Sequence, residues 1–492
     1  MADLEKKKDT VISHNDADAA LDFLHSRADG AALTEVNEKT LVRKIDWMIM
    51  PLMWAAYFLQ YLDKTLINYA AVMGLKEDTN INTDQFSLLA LVFYISYLAC
   101  EPLTGYLMQR FPTAKYLGAN VMAWGLCVAM NCVCKNFASL VVVRVLLGCF
   151  EAAVAPSLIL ITGMWYKKNE QPPRVGLWYL GTGTGTVVGA LASYGFQHYE
   201  GTAFKSWQIM FLLFGLITII VGGLIVWILP DNPMKSRLTH EEKIWAIERL
   251  RENQTGIENK HFKPKQMLEA FRDPQTYFII FITISSNVPN GAVSSYQATI
   301  IQGFGYSSKA TALLSIPSGF VSIVSILGGC FVAGRYNQRC VNIVILLFFG
   351  GIIGGSMMAF LPEGNKSGKL IGNYLTNCIG ATLPLIYSLS SANYAGHTKK
   401  VTINAVLLMS FCLGNIIGPE TFQESDKPDY IPAKIAIVVT SAIAAILTLT
   451  LRFYYQFDNQ KRDKKMAGKE HMPDVEFLDL TDRENIEFRY RV

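Results

Sequence analysis

Two short constellations in this chain place charges where charges are costly. One is Tyr61-Leu-Asp63-Lys64 and the other is the pair Arg144 and Glu151, both set inside long apolar runs. A charged side chain at the centre of a bilayer costs at least about 2.5–3.5 kcal/mol, so each needs a reason to be there. Seven residues are two helical turns less about 20°. That spacing puts Arg144, Gly148, Glu151 and Ala155 on one helix face, with the two charges roughly 10 Å apart along the axis. Gly148, between them, clears side-chain bulk for a ligand or a neighbouring helix. Two acids and two bases bring the set near zero net charge, which makes burial tolerable. Such a face must meet a water-filled cavity or a partner charge, never lipid.

The chemistry these types allow is proton exchange and anion binding. Desolvation favours the neutral form of a carboxyl group and a nearby cation favours the charged form, so Asp63 and Glu151 are the candidate proton-coupling residues. Lys64 and Arg144 are the candidate substrate-binding cations, Arg144 in bidentate fashion toward a carboxylate. An arriving anion would compete with the acids for the cations and couple the two events. The opposing reading is a salt-bridge set that locks one span to another. Function is favoured because two charge pairs in two spans exceed what packing requires. Glu101, just before Pro102, is expected to pair with a loop arginine in gating or structure. Tyr97, one turn earlier, and Asn415, within Gly414-Asn-Ile-Ile-Gly418-Pro419, are further polar positions in apolar spans. Glu420 and His397 fall at span edges and are expected to be solvated.

The elements that must position these groups follow from composition. The chain has 492 residues, 51% hydrophobic and 17% charged, against about 25% charged in soluble domains. Its apolar residues lie in runs of 18–25 residues, the length that crosses about 30 Å of hydrocarbon. Twelve spans are expected, at 47–70, 86–109, 116–134, 140–164, 177–197 and 207–229, then 274–298, 310–333, 341–361, 369–392, 401–421 and 431–455. The fold class is therefore an all-α polytopic membrane protein, in contact with the lipid bilayer. A net charge of +4 without a basic stripe argues against nucleic acid. The nine cysteines sit in or beside apolar spans and read as small hydrophobes. The polar N-terminal stretch lacks an early apolar region, so no cleavable signal is expected. Gly181-Thr-Gly-Thr-Gly-Thr-Val-Val-Gly189 lacks the lysine and the strand-to-helix setting of a phosphate loop. Its glycines at every fourth position read as close helix packing. No catalytic nucleophile, metal site or cofactor-binding fold is found, which argues against an enzyme.

The organisation is six spans, a charged segment and six more. The expected division is a tail at 1–46, a bundle at 47–229, a linker at 230–273, a second bundle at 274–455 and a tail at 456–492. Within the linker, Thr239 and Glu242 have capping-box spacing, with Ile244, Ile247 and Leu250 at helical intervals. A second helix is expected from Pro264, with Met267, Leu268 and Phe271 as its apolar face packed beneath the bundles. Short loops on the N-terminal side hold nine lysines and arginines against seven opposite, with every arginine of these loops on the first side. Both termini are accordingly expected in the cytoplasm. An internal echo supports duplication: Gly105-Tyr-Leu-Met-Gln-Arg110 follows the second span and Gly334-Arg-Tyr-Asn-Gln-Arg339 the eighth. Gly105, Arg110, Gly334 and Arg339 are candidate gating or structural residues at matched corners.

These features together resemble the major facilitator superfamily, and within it the anion:cation symporter group and its fungal allantoate permease-like family. The two corners are similar to the superfamily's G-x-x-x-D-R signature, with Gln109 and Gln338 in place of the acid. Tyr61-x-Asp63-Lys64 with Arg144 and Glu151 is similar to the tyrosine, aspartate and cation of span one and the Arg-(x6)-Glu of span four in organic-anion symporters. Lys64 stands where that group has arginine, which removes bidentate recognition at this point. Trp165-Tyr166-x-x-Asn169-Glu170-Gln171-x-x-Arg174, Leu229-Pro-Asp-Asn-Pro233 and Glu248-Arg-Leu-Arg-Glu-Asn-Gln-Thr-Gly256 carry the fungal likeness. The resemblance implies two six-helix bundles and substrate contacts at Tyr61, Tyr97 and Asn415. It also implies proton-coupled uptake of a small organic anion such as a ureido acid, a vitamin carboxylate or a peptide, across the plasma membrane. The proton is the coupling ion and no other cofactor is expected; a monomer is the expected working unit. Export by the same fold, or nutrient sensing without flux, are the alternatives. Asn365-Lys-Ser367 is a glycosylation sequon on a loop expected outside, and Asn253-Gln-Thr255 one expected inside.

Overall fold

The computed structural model describes residues 37–196, 204–250, 253, 262–306, 308–362, 364–422, 426, 430–466 and 479–492. Parts of the signature 248–256, the sequon threonine Thr255, the tail 1–36 and the tail stretch 467–478 lie outside the described residues.

The first half is built from α1 (Glu38–Val72), α2 (Thr83–Arg110), α3 (Thr113–Met130), α4 (Phe137–Glu151), α5 (Val154–Trp165), α6 (Gln171–Tyr179), α7 (Gly181–Phe196) and α8 (Ser206–Ile228). Two linker helices follow, α9 (His240–Glu248) and α10 (Pro264–Arg272). The second half contains α11 (Pro274–Gly303), α12 (Ser308–Tyr336), α13 (Arg339–Leu346), α14 (Gly355–Phe360), α15 (Lys366–Thr376), α16 (Thr382–Asn393), α17 (His397–Glu420) and α18 (Ile431–Met466). Four pairs of consecutive helices form single stretches with an interruption: α4 with α5, α6 with α7, α13 with α14 through a π-helical piece, and α15 with α16 through a 3₁₀ turn. That gives twelve long helical stretches among the described residues, six on each side of the linker.

Eight of these stretches are long and apolar enough to cross a membrane by length and composition. The other four are α1, α6 with α7, α11, and α15 with α16. Each is interrupted or polar for a reason visible in its sequence. α1 carries Asp63 and Lys64, α6 and α7 join at Leu180 before a glycine-rich run, α11 holds Asn287, Pro289 and Asn290, and α15 and α16 meet through Asn377–Ala381. Helices that line a polar seam cannot be apolar all round. Large apolar side chains cover the outer surface instead, with Trp227 71%, Val324 69% and Phe453 65% exposed.

Pairing repeats between the halves as the duplicated corners anticipate. α1 packs on α7, and α11 packs on α17. α3 packs on α8, and the stretch from α13 to α14 packs on α18. The halves meet through α2 against α17 and, reciprocally, α12 against α6 and α7. Glycines make these crossings close. A Cβ on Gly181 would lie 2.5 Å from the Phe58 backbone nitrogen of α1, and one on Gly183 would lie 2.5 Å from Ile323 of α12. The glycine-rich run therefore packs helices on both sides, as its spacing suggested.

The linker lies on one face of the molecule, called here the linker face. α9 begins with the expected capping box: Thr239 Oγ1 accepts from Glu242 N at 3.3 Å and Glu242 Oε2 accepts from Thr239 N at 3.1 Å. Ile244, Ile247 and Leu250 are buried. α10 starts at Pro264 but turns opposite to expectation. Met267, Leu268 and Phe271 are exposed, while Gln266 and Ala270 face inward. The inward position of Gln266 is fixed by its amide, which donates to the Asp479 carbonyl at 2.8 Å. The outward apolar face is the orientation of a helix lying along a membrane surface.

Candidate functional site

The four charges identified in sequence converge between α1 and α4, where Lys64 and Glu151 bridge the two helices. Residues 63 and 64 are neighbours on a helix and so point about 100° apart. That angle splits their surroundings. Asp63 turns into the first half, where the Trp124 indole N–H of α3 donates to its Oδ2 at 3.3 Å. Lys64 turns toward the seam, and its Nζ lies 3.2 Å from Glu151 Oε1. Three rings surround the Lys64 ammonium: Phe93 at 5.9 Å, Tyr97 at 5.7 Å and Phe411 at 5.7 Å. Phe93 and Tyr97 come from α2, but Phe411 comes from α17 in the other half. Lys64 is therefore the charge that touches both halves, within the distance at which a ring face attracts a cation.

Arg144, 4% exposed, has Asp63 first and then Glu151 as its acidic neighbours. Its Nε and Nη2 have no hydrogen-bond partner among the described residues, nor has Asp63 Oδ1. Glu151 is fully buried, with Gln60 beside it as well as Lys64. A set that served only to lock α1 to α4 would pair every charge, because an unpaired buried charge is strongly destabilising. Here Lys64 faces Glu151 at ion-pair distance, and neither Glu151 oxygen nor the Nε and Nη2 of the guanidinium has a hydrogen-bond partner among the described residues. The arrangement can accept an anion at Arg144 and can exchange the partner of Lys64.

Gly148 serves the approach of a neighbouring helix: a Cβ there would lie 2.6 Å from the Phe93 carbonyl oxygen and 3.0 Å from the Tyr97 nitrogen. It draws α2 against α4 and so brings Phe93 and Tyr97 over Lys64. Tyr61 packs on α7 beside Gly185 and faces Thr186. Glu101 is fully enclosed near Tyr97, and among the described residues no loop arginine forms the expected pair with it. Arg110 is exposed and stacks on Tyr106 at 5.1 Å. Asn415 is buried but apart from the charges: its amide donates to the Phe411 carbonyl at 2.8 Å, and its Oδ1 accepts from Asn290 at 3.2 Å. It holds α17 to α11 and sets Phe411 one turn away.

Gly105 and Gly334 do lie at the contact between halves. A Cβ on Gly105 would meet Val401 at 3.3 Å, and one on Gly334 would meet the Pro173 ring at 2.6 Å. Gln109 donates across the seam to Thr398 Oγ1 at 2.8 Å. Arg339 is fully buried and donates to Ser388 Oγ at 3.1 Å and across the seam to the Lys168 carbonyl. His397, expected to be solvated, is buried, and its backbone N–H donates to Asp479 at 2.7 Å. Asn365 caps α15 by accepting from Gly368 N at 2.9 Å. Sequence reasoning missed Phe411, Phe93 and Trp124, since aromatic residues in apolar spans carry no signal separating a ring over a cation from a ring in the core.

Residues 53–419 match the model of the Major Facilitator Superfamily. The chain is 39% identical over 498 residues to the thiamine pathway transporter THI73 of Saccharomyces cerevisiae, covering 97% of this chain and 94% of the relative. It is 34% identical over 483 residues to the allantoate permease of the same yeast, covering 95% and 89%. Among solved structures, the proton:xylose symporter XylE superposes with a TM-score of 0.66 at 14% identity, over 84% of this chain and 96% of that one. That likeness carries the fold alone. The two yeast relatives span nearly the whole chain, and the protein is a membrane transporter of a small molecule, not an enzyme. The chain belongs to the major facilitator superfamily, among its fungal allantoate permease-like members.

Proposed function

We propose that this transporter carries a small organic anion into the cell together with protons, by alternating exposure of the site at Lys64, Arg144, Asp63 and Glu151 to the two sides of the plasma membrane. The observation that carries the reading is the buried Arg144, with open donors, beside the Lys64–Glu151 ion pair, whose carboxylate oxygens also lack hydrogen-bond partners among the described residues. The coupling follows from charge balance. Two cations and two carboxylates sum to zero. An anion bound alone, or a proton bound alone, leaves a net charge in a site shut off from water, which is costly. An anion and a proton bound together restore neutrality. In this scheme a proton on Glu151 frees Lys64, and the anion takes up the donors of Arg144 with Lys64 beside it. Asp63, held by Trp124, is the other carboxylate that can carry that one proton, and Tyr61 and Tyr97 border the ligand. Gly105 and Gly334 belong to the gate between the halves.

The substrate we favour is a ureido acid, a class supported by the 34% identical relative named as an allantoate permease. The linker face is taken as cytoplasmic, on the distribution of arginine in the short loops. Both termini then lie inside, and the two bundles and the linker divide at 47–229, 230–273 and 274–455. Uptake of allantoate and other small carboxylates into liposomes holding the purified protein, with an inward proton gradient imposed or collapsed, tests the proposal. Accumulation that follows the gradient is expected; flux indifferent to it contradicts the proton role of Asp63 and Glu151.

A further inference from the structure

The segment 479–492 lies on the linker face as irregular chain, yet Thr481, Asp482 and Phe488 are fully buried. Its anchorage on the second half is dense. Asp482 receives Lys399 Nζ at 2.8 Å, Gln275 at 3.0 Å and the Tyr490 hydroxyl at 2.7 Å. Lys399 also meets Asp273 at 2.9 Å, and Arg483 meets the other oxygen of Asp273 at 3.1 Å. Arg462, on the part of α18 that runs past its apolar stretch, donates to the carbonyls of Asp482 at 2.8 Å and Asn485 at 2.9 Å. Asn393 and Arg491 exchange two hydrogen bonds at 2.7 Å, and Arg339 N donates to the Val492 carbonyl at 2.9 Å. A buried ion pair with this many hydrogen bonds fixes a segment in one place rather than letting it slide.

Toward the first half the same segment meets Lys168. Lys168, in the turn between α5 and α6, is buried with its ammonium 3.9 Å from the centre of the Phe488 ring. The same Lys168 offers its carbonyl to Arg339 across the seam. The cations Arg491, Lys400 and Arg339 act on Lys168, and the acid Asp482 opposes them. Like charges push Lys168 away from the second half, and the Phe488 ring face and the Arg339 contact oppose that push.

From this contrast we infer that 479–492 is a latch: it travels with the second half, and Phe488 seated on Lys168 holds the linker face shut, so the seam there opens only when that contact breaks. Cys330 reports the event, because it lies on α12 against Gly176 of α6, where a Cβ on the glycine would be 2.7 Å from the cysteine Cβ. The test is the rate of Cys330 labelling by a maleimide on purified full-length protein, read cysteine by cysteine through peptide mass spectrometry, with buried Cys127 of α3 as the internal control. Phe488→Ala is expected to speed Cys330 labelling on the order of tenfold, the size of a desolvated cation–π contact, with Cys127 unchanged. In the double variant Lys168→Cys with Phe488→Cys, the oxidised protein is expected to label Cys330 more slowly than the same protein after reduction. Unchanged Cys330 labelling in Phe488→Ala overturns the latch. If that variant exposes Cys127 as well, the cross-linked protein decides, and equal rates before and after reduction overturn it.

Discussion

The two Gly-x-x-x-Gln-Arg corners occupy matched places in the two halves and meet different surroundings. At the first, Gly105 admits Val401 of α17, Gln109 donates across the seam, and Arg110 stays outside on Tyr106. At the second, Gly334 admits Pro173, and Arg339 itself crosses the seam from a fully buried position. The glycines do the same work twice, giving room for the opposite half. The polar residues divide the work differently: glutamine bridges at one corner, arginine at the other. A duplicated string thus yields a seam that is symmetric in shape and asymmetric in chemistry.

Substitutions at the two corners sharpen that comparison. Arg339→Ala leaves Ser388 and the Lys168 carbonyl without their charged donor and is expected to lower unfolding free energy by about 3 kcal/mol, in thermal or denaturant melts of the purified protein. Gly334→Ala presses a methyl onto the Pro173 ring and the Asn169 carbonyl, with an expected loss of about 2 kcal/mol in the same melts. Gln109→Ala removes the hydrogen bond to Thr398, worth about 1 kcal/mol. Gly105→Ala meets a Val401 methyl at 3.3 Å, with the Ala405 Cβ at 3.6 Å and the Val401 carbonyl oxygen at 3.7 Å in ordinary contact, and should fall below that. Arg110→Ala is expected to stay within about 0.5 kcal/mol of the parent protein. An Arg110→Ala loss as large as that of Arg339→Ala would erase the asymmetry.

Sequence made much of this architecture legible, because membrane spans are long apolar runs and charges inside them stand out. Asp63, Lys64, Arg144 and Glu151 were found that way, and the structure brings all four together. Their division was not legible: the 100° turn that sends Lys64 to the seam and Asp63 to Trp124 depends on how α1 is rotated, which packing decides. Asn415 looked like a free polar group, but its partner Asn290 lies on another helix, 125 positions away. The outward apolar face of α10 depends on Gln266 finding the 479–492 segment. That segment has no periodicity, and its contacts are distant in sequence, such as Asp482 with Gln275, 207 positions apart. Isolated acids and arginines in a polar tail read as solvated until the surface that receives them is known.

The central claim is that anion and proton share the site between α1 and α4. It is tested most directly by uptake of allantoate into liposomes under an inward proton gradient, comparing the parent protein with Arg144→Ala and Glu151→Gln. The account predicts gradient-driven accumulation by the parent and at least a hundredfold loss in both variants, about 2.7 kcal/mol of lost stabilisation each, with protein still inserted and folded. Accumulation in both variants equal to the parent, and equally dependent on the gradient, would contradict it.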